Sequence, residues 1–315
     1  MADRVRHLLY VDHRLPTGVE ERFADRCVLC GPETDNVGGA VGIIAGTVRW
    51  DPSRLNGIPK ARVLSRSGIG YDNIDVPAAT ARGIVVCVAA DAPTVSTAEH
   101  TMALILAAAK RLVPNQTRLR SGSGDYFTTN QGIELAGRTL GLVGYGRIAR
   151  RVRRAAEALD MEVIAYDPYL STADVAGVEL VGFAELLRRA DVISVHTPLT
   201  AETRRMFDFE AFAAMRRGCV FVNAARGGLV DHVALLEAVD TGQVRMAALD
   251  VTDPEPLPPE SPLLHHDDIL ITPHVASSTD TGRVRLYEHA VDNAIAVLEG
   301  RPRHVVNPEV LAQRP

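Results

Sequence analysis

The stretch TLGLVGYGRIARRVRRAAEALDMEVIAYD, residues 139–167, decides the fold. It opens on a short apolar run, Leu140 to Val143, which reads as a buried strand. Gly144-Tyr145-Gly146-Arg147-Ile148-Ala149 follows at once, and an arginine- and alanine-rich helical segment comes next. A second apolar strand, Glu162 to Tyr166, ends on Asp167, 21 residues past Gly146. Strand, glycine turn, helix, strand and acid in this order make a dinucleotide-binding unit. Gly144 permits the tight turn, and Gly146, lacking a Cβ, lets a pyrophosphate approach the backbone. Ala149 is small enough for close packing of helix on strand. The helix N-terminus offers free N–H groups and a partial positive charge to phosphates. Asp167 suits a ribose 2′-hydroxyl and repels a 2′-phosphate, so the expected cofactor is NAD rather than NADP. A glycine turn alone also occurs in ordinary βαβ units; the flanking strands and the acid at this distance carry the assignment.

The chain has 315 residues, enough for about two domains, with 46% hydrophobic and 23% charged residues as in soluble globular proteins. The net charge of −5 leaves no electrostatic footprint for nucleic acid. The opening MADRVRHLLYVDH lacks the apolar core of a signal peptide, and no apolar run reaches the ~18 residues of a membrane span, so a cytoplasmic protein is expected. Cys27 and Cys30 have a CxxC spacing, but no second pair or histidine set completes a metal site, and reduced thiols are the plainer reading.

Outward from the fingerprint, short Val- and Ile-rich runs recur with little alternation, as in parallel strands buried on both faces. In the first ninety residues they are Leu8 to Val11, Val41 to Ala45, Val63 to Ser65 and Ile84 to Val88, with a helix-like stretch between the first two. Arg66 to Asp75, RSGIGYDNID, is glycine-rich and reads as a turn or an anion cradle. Thr94 to Arg111 reads as a long buried helix, capped by Ser96 or Thr97 and ended by Pro114, with Glu99 and His100 as capping and packing groups. Arg118 to Gln131 reads as a polar loop or arm. The arginines of the fingerprint helix read as a solvated or subunit-contact face.

After Asp167 four strands each deliver polar residues at their carboxyl ends, where open α/β sheets place ligands. Val192 to Val195 leads to His196-Thr197, Val220 to Asn223 to Ala224-Ala225-Arg226, Met246 to Leu249 to Asp250, and Ile269 to Ile271 to Pro273-His274. A helix from Arg283 to Glu299 then crosses back to the first domain, making the nucleotide domain an insertion. Arg226 can present its planar fork to a carboxylate. Glu255 lies between Pro254 and Pro256, and a carboxylate beside an imidazole such as His274 fixes the tautomer of a general acid. No spacing rule links these three residues.

Seven stretches together carry a resemblance: RSGIGYDNID (66–75), STAEHTMALIL (96–106), ELAGRTLGLVGYGRIA (134–149), HTPLTAETRRMF (196–207), VNAARGGLVD (222–231), ALDVTDPEP (248–256) and ITPHVASST (271–279). The chain resembles the D-isomer-specific 2-hydroxyacid dehydrogenase family, which includes phosphoglycerate dehydrogenases and glyoxylate/hydroxypyruvate reductases. The resemblance implies an α/β fold of two doubly wound parallel-sheet domains. A Rossmann NAD-binding domain, 98–285, would be inserted in a discontinuous flavodoxin-like substrate domain, 1–97 and 286–315. It implies that Arg226 holds the substrate carboxylate, helped by the backbone N–H groups of Ser67, Gly68 and Ile69. His274 would be the general acid/base and Glu255 its partner. Arg147 and Ile148 would line the pyrophosphate, and Thr197, Ala224, Ala225, Arg226 and His274 the rest of the cofactor groove, with Asp250 near the nicotinamide amide. A homodimer acting on a small 2-keto or 2-hydroxy acid is implied as well.

Two departures bear on the substrate. Phosphoglycerate dehydrogenases carry a basic residue after the second strand of the outer domain; here that position is Ala45, with Arg49 the remaining candidate. The segment after Asn307 is too short for their regulatory domain. An unphosphorylated 2-keto acid is therefore favoured over phosphohydroxypyruvate, and Glu255 argues against a formate dehydrogenase, which has glutamine there. The alternative of another class is an NAD(H)-sensing binding protein on the same fold.

Overall fold

The computed structural model describes residues 6–32, 36–122, 130 and 132–313. The chain divides into two compact units, one made of Met1–Pro93 with Ser278–Pro315, the other of Thr94–Ser277. The expected borders at 97/98 and 285/286 fall inside the helices Thr94–Ala109 and Asp280–Leu298; the division falls just ahead of each helix instead.

The first unit holds five parallel strands: β1 (His7–Val11), β2 (Cys27–Cys30), β3 (Gly42–Ala45), β4 (Val63–Arg66) and β5 (Val85–Val88), in the order β2-β1-β3-β4-β5. This is the flavodoxin-like order. One face is covered by the helix Asp280–Leu298, whose Ala290, Val291, Ala294 and Ile295 meet Leu9, Val11, Val63 and Val85. The other face buries Tyr10, Ile43, Leu64 and Val86 with Trp50, Leu55 and Ile58. Two covered faces are the reason that these strands show no polar alternation. Beyond the helix, the chain adds to the β5 edge: Val306 N–H donates to Val86 O at 2.8 Å, and the buried Asn307 bonds Val86 N, Ile84 O and Thr80 Oγ1.

The stretch expected to be helix-like between β1 and β3 contains strand β2, with 3-10 turns at Glu21–Phe23 and Asn36–Gly39 on either side. Cys27 and Cys30 sit on β2, and residues three apart in a strand point to opposite faces. No disulfide joins the four cysteines, burial pushes the Cys27 thiol up to about 11, and among the described residues no group of side chains is arranged to hold a metal.

The second unit holds seven parallel strands: β6 (Thr139–Val143), β7 (Glu162–Tyr166), β8 (Glu179–Leu180), β9 (Val192–Val195), β10 (Cys219–Asn223), β11 (Val244–Leu249) and β12 (Ile269–Ile271). Their order is β12-β11-β10-β9-β6-β7-β8, the doubly wound Rossmann order with one further strand beyond β11. Leu140, Leu142, Val220 and Val222 pack on one face with Ile105 and Ala149, while Ile193, Val195 and Phe221 pack on the other with Phe207, Phe212 and Leu235.

Two helix expectations change. The helix Thr94–Ala109 starts ahead of Ser96 and Thr97, which are buried inside it rather than capping it; Thr97 O instead accepts from Thr101 Oγ1. Pro114 does not end a helix but sits in the first turn of a new one, Leu112–Ser121, after a left-handed Arg111. A proline is tolerated in a first turn, where its missing N–H has no intrahelical acceptor. Part of the expected loop from Arg118 is thus helical, and most of the remainder lies outside the described residues. Among the described residues no helix is long and apolar enough to cross a membrane.

Candidate active site

The glycine turn sits where β6 meets the helix Arg147–Glu157. Gly144 has φ +89°, and a Cβ there would stand 2.8 Å from the backbone of His196 and Thr197 at the exit of β9. Its smallness is thus required by conformation and by neighbours. Gly146 precedes the helix with no side-chain cap and open space where its Cβ would be. Asp167 follows β7; its Oδ2 accepts from Tyr145 N–H at 2.9 Å and its Oδ1 from Tyr169 N–H at 3.0 Å. The acid straps the turn while each oxygen keeps capacity for a further donor. An uncapped helix N-terminus, an unfilled glycine and a half-buried carboxylate beside them fit a dinucleotide. Of the arginines behind the turn, Arg147, Arg150, Arg151 and Arg154 are exposed, as expected, and Arg153 is half-buried. Arg150 stacks on Tyr145, and Arg153 donates to the Tyr145 hydroxyl at 3.0 Å and to Ala176 O at 2.8 Å.

The remaining groups stand at the carboxyl edge of three adjacent strands, β10, β11 and β12, paired in register at Asn223, Leu249 and Ile271. Arg226 comes from the β10 exit. Asn223, fully buried, shapes that turn: its Oδ1 accepts from Ala225 N–H and its Nδ2 donates to Arg226 O. Gly227 passes so close to the β11 exit that a Cβ would lie 2.0 Å from Thr252 C.

His274 and Glu255 are brought together: Nδ1 of His274 lies 2.5 Å from Glu255 Oε1. With Nδ1–H donated to the carboxylate, Nε2 is the nitrogen left for chemistry. The two side chains are 30% and 40% exposed, so both can be reached. His274 has φ +52°, an uncommon conformation for a side chain of this size. It is held by Asp250. His274 N–H donates to Asp250 O at 2.7 Å, and the next two amides donate to the Asp250 carboxylate, Val275 to Oδ1 and Ala276 to Oδ2, both at 2.9 Å.

The same carboxylate accepts from Thr272 Oγ1 at 2.6 Å and lies 3.3 Å from His100 Nε2, which is also 3.1 Å from Thr272 Oγ1. Burial pushes the Asp250 carboxyl up, but the hydrogen bonds from His100, Thr272, Val275 and Ala276 outweigh it and hold it below the usual range. The Asp250 side chain is fully enclosed, and its hydrogen bonds anchor the His274 segment. His100 and Asn223 were not legible as site residues: their partners are remote in sequence or main-chain atoms.

His196, beside the turn, bonds Ser194 Oγ through Nε2 at 2.9 Å, and burial pushes its pKa down to about 4. It is neutral at pH 7. Thr197, Ala224 and Ala225 follow β9 and β10 on the same edge as Arg226. In the first unit, the Ser67 N–H does not face outward as expected; it donates to Ala45 O at 2.9 Å, extending the β3–β4 ladder by one residue. Among the described residues, the amides of Gly68 and Ile69 have no such partner. Ala45 is buried, and Arg49 is exposed.

Residues 102–276 match the family model described as the D-isomer specific 2-hydroxyacid dehydrogenase, NAD binding domain. The chain belongs to the D-isomer-specific 2-hydroxyacid dehydrogenase family. It is 38% identical over 278 residues to a glyoxylate reductase of Thermofilum pendens, covering 85% of this chain and 81% of that one. It is 40% identical over 268 residues to a D-3-phosphoglycerate dehydrogenase of Archaeoglobus fulgidus, covering 84% of this chain. The chain spans about half the length of that relative, 51%. Among solved structures, the TT0316 protein from Thermus thermophilus matches with TM-score 0.87 at 38% identity, over 95% of this chain and 99% of that one.

Proposed function

We propose that the chain is an NAD-dependent oxidoreductase that interconverts a D-2-hydroxy acid and its 2-keto acid, with His274 as general acid/base. The observation that carries this is the Glu255–His274 pair, aimed from the carboxyl edge of the sheet in the NAD-binding unit. NAD, when bound, supplies or accepts the hydride at the substrate's second carbon. The chain's own residues do the rest. In reduction, His274 Nε2 delivers a proton to the oxygen as negative charge grows there, which stabilises the transition state more than the ground state. Glu255 holds the ring in the required tautomer, and the Asp250 network fixes the backbone beneath it. Arg226 binds the substrate carboxylate in a bidentate manner and sets the face presented, with Gly68 and Ile69 amides as further donors. Ser67 drops out of that set because its amide is already bonded.

Arg147, Ile148, Gly144 and Gly146 receive the pyrophosphate, and Asp167 the ribose. Thr197, Ala224, Ala225 and Arg226 line the remaining groove. In this assignment unit 94–277 handles the cofactor and the discontinuous unit the substrate. The proposal also places the protein in the cytoplasm as a homodimer. Four unbridged cysteines support the compartment, and family resemblance supports the dimer. A monomer by light scattering removes the dimer.

The test is NADH oxidation, followed by absorbance, against glyoxylate, hydroxypyruvate, phosphohydroxypyruvate, pyruvate, 2-ketoisocaproate and phenylpyruvate. Turnover that is lost in His274→Ala supports the assignment. NADH binding with no turnover of any acid in the panel points to a sensing protein instead. Saturation by phosphohydroxypyruvate far below hydroxypyruvate identifies a phosphoglycerate dehydrogenase.

A further inference from the structure

In a sheet ordered β2-β1-β3-β4-β5 the strand order reverses between β1 and β3, and ligands of such sheets bind outside the carboxyl ends at that point. In the first unit this place is occupied by Asp12 and His13, which follow β1, and Gly46, which follows β3. The Asp12 side chain is fully buried, and both of its oxygens are hydrogen-bonded. Its Oδ1 accepts from Gly46 N–H at 2.7 Å and its Oδ2 from Trp50 Nε1 at 2.8 Å, while His13 Nδ1 lies 2.5 Å from Oδ1. Gly46 is needed for this: a Cβ there would lie 2.5 Å from His13 Nδ1. The imidazole also packs on the Tyr287 ring, centroids 5.1 Å apart. Asp12, Gly46 and Tyr287 thus fix one ring, yet its Nε2 is buried and, among the described residues, bonded to nothing. A buried nitrogen left without a partner in a pre-set ring is what a site for a polar ligand atom requires.

The position limits what that atom belongs to. Neighbouring strands stand about 4.8 Å apart, so the ends of β1 and β4 are separated by about 10 Å. The amides of Gly68 and Ile69, assigned above to the substrate carboxylate, lie past the β4 end. A three-carbon acid measures about 5 Å from carboxylate to a C3 oxygen, and a hydrogen bond of about 2.9 Å at each end fills the interval. We propose that His13 is a specificity residue whose Nε2 hydrogen-bonds the C3 oxygen of a 2-keto acid, so that the protein selects substrates of the hydroxypyruvate class over pyruvate. The inference rests on the proposed function. It differs from the Arg226–His274 assignment in reading the far end of the substrate rather than its reacting end.

The experiment compares kcat/KM for hydroxypyruvate, phosphohydroxypyruvate and pyruvate in the wild type, His13→Asn and His13→Phe. Asparagine keeps a donor to Asp12 but removes the atom at Nε2, so Asp12 stays partnered and the fold is protected; phenylalanine keeps the packing on Tyr287. The ratio of hydroxypyruvate to pyruvate is expected to fall about 10- to 100-fold in both, mainly through KM. If the phosphorylated acid carries the discrimination instead, its ratio falls by that factor and the C3 oxygen is a phosphate ester. Ratios for both acids that stay within twofold of wild type overturn the role of His13 and leave the dehydrogenase reading standing. A wild type that reduces none of the three acids overturns the role of His13, and turnover of glyoxylate, 2-ketoisocaproate or phenylpyruvate then decides whether the dehydrogenase reading stands.

Discussion

His274 combines a left-handed backbone with a side chain tied to Glu255, and every amide from 274 to 276 ends on Asp250. A strained conformation persists only where the surroundings determine it, and Asp250 does so here. His274→Ala is expected to lower kcat by ~10²–10⁴-fold, checked by steady-state turnover with NADH binding as control. Gly227→Ala places a methyl group within 2.0 Å of Thr252 C, so the β10 exit must shift and Arg226 with it. A loss of about 2–4 kcal/mol in urea unfolding is expected, with a raised KM; unchanged unfolding would mean that the two exits move apart freely. His196 supplies a pH dependence. Its folded pKa is depressed to about 4. The unfolded chain therefore binds the proton first, and stability declines as pH falls from about 6.5 towards 4, on the order of 2 kcal/mol for this residue. A flatter decline over that window in His196→Gln checks it. At this scale the sequence disclosed little by itself. Arg226, Glu255 and His274 stood out by their places at strand ends and between prolines, but only the seven family stretches linked them, because partners far apart in the chain leave no local spacing. His100 and Asn223 escaped for the same reason, and Ser67 was misassigned because a strand can run one residue past its apolar stretch.

The glycine turn is an element whose parts were legible because each is local. Strand, turn, helix and acid fall within thirty residues, and their roles follow from sterics and the helix dipole. Asp167 has a second task that spacing does not reveal, since it accepts the Tyr145 N–H inside the turn. Asp167→Ala is therefore expected to weaken NADH binding about tenfold and to narrow the preference over NADPH, measured by fluorescence titration with both cofactors. An unchanged ratio of the two affinities would remove Asp167 from ribose recognition. The edge strands β2 and β8 were not legible. β8 has two residues, too few for any pattern, and β2, CVLC, was absorbed into the stretch read as helix-like between β1 and β3. The start of the helix Thr94–Ala109 was misplaced because Ser96 and Thr97 look like caps, yet burial claims them for the core.

Each of the two units has its own apolar core, with both faces of each sheet covered from within the unit. The fragment 94–277 is therefore expected to unfold cooperatively and to bind NADH without turning over any keto acid, checked by calorimetry and titration. A molten fragment would show that its core is incomplete. That two α/β domains are present, one split, could be read from alternating strand runs and a late returning helix; their borders could not, because no compositional break marks the residues just ahead of the two helices. The late return has a consequence for synthesis. The helix Asp280–Leu298 covers Leu9, Val11, Val63 and Val85, but the ribosome must first make all of Thr94–Ser277. At roughly 5–20 residues per second this takes on the order of ten to forty seconds. For that interval the nascent first sheet exposes one bare greasy face beside a unit that can already be folding, a natural landing place for a chaperone at the tunnel exit.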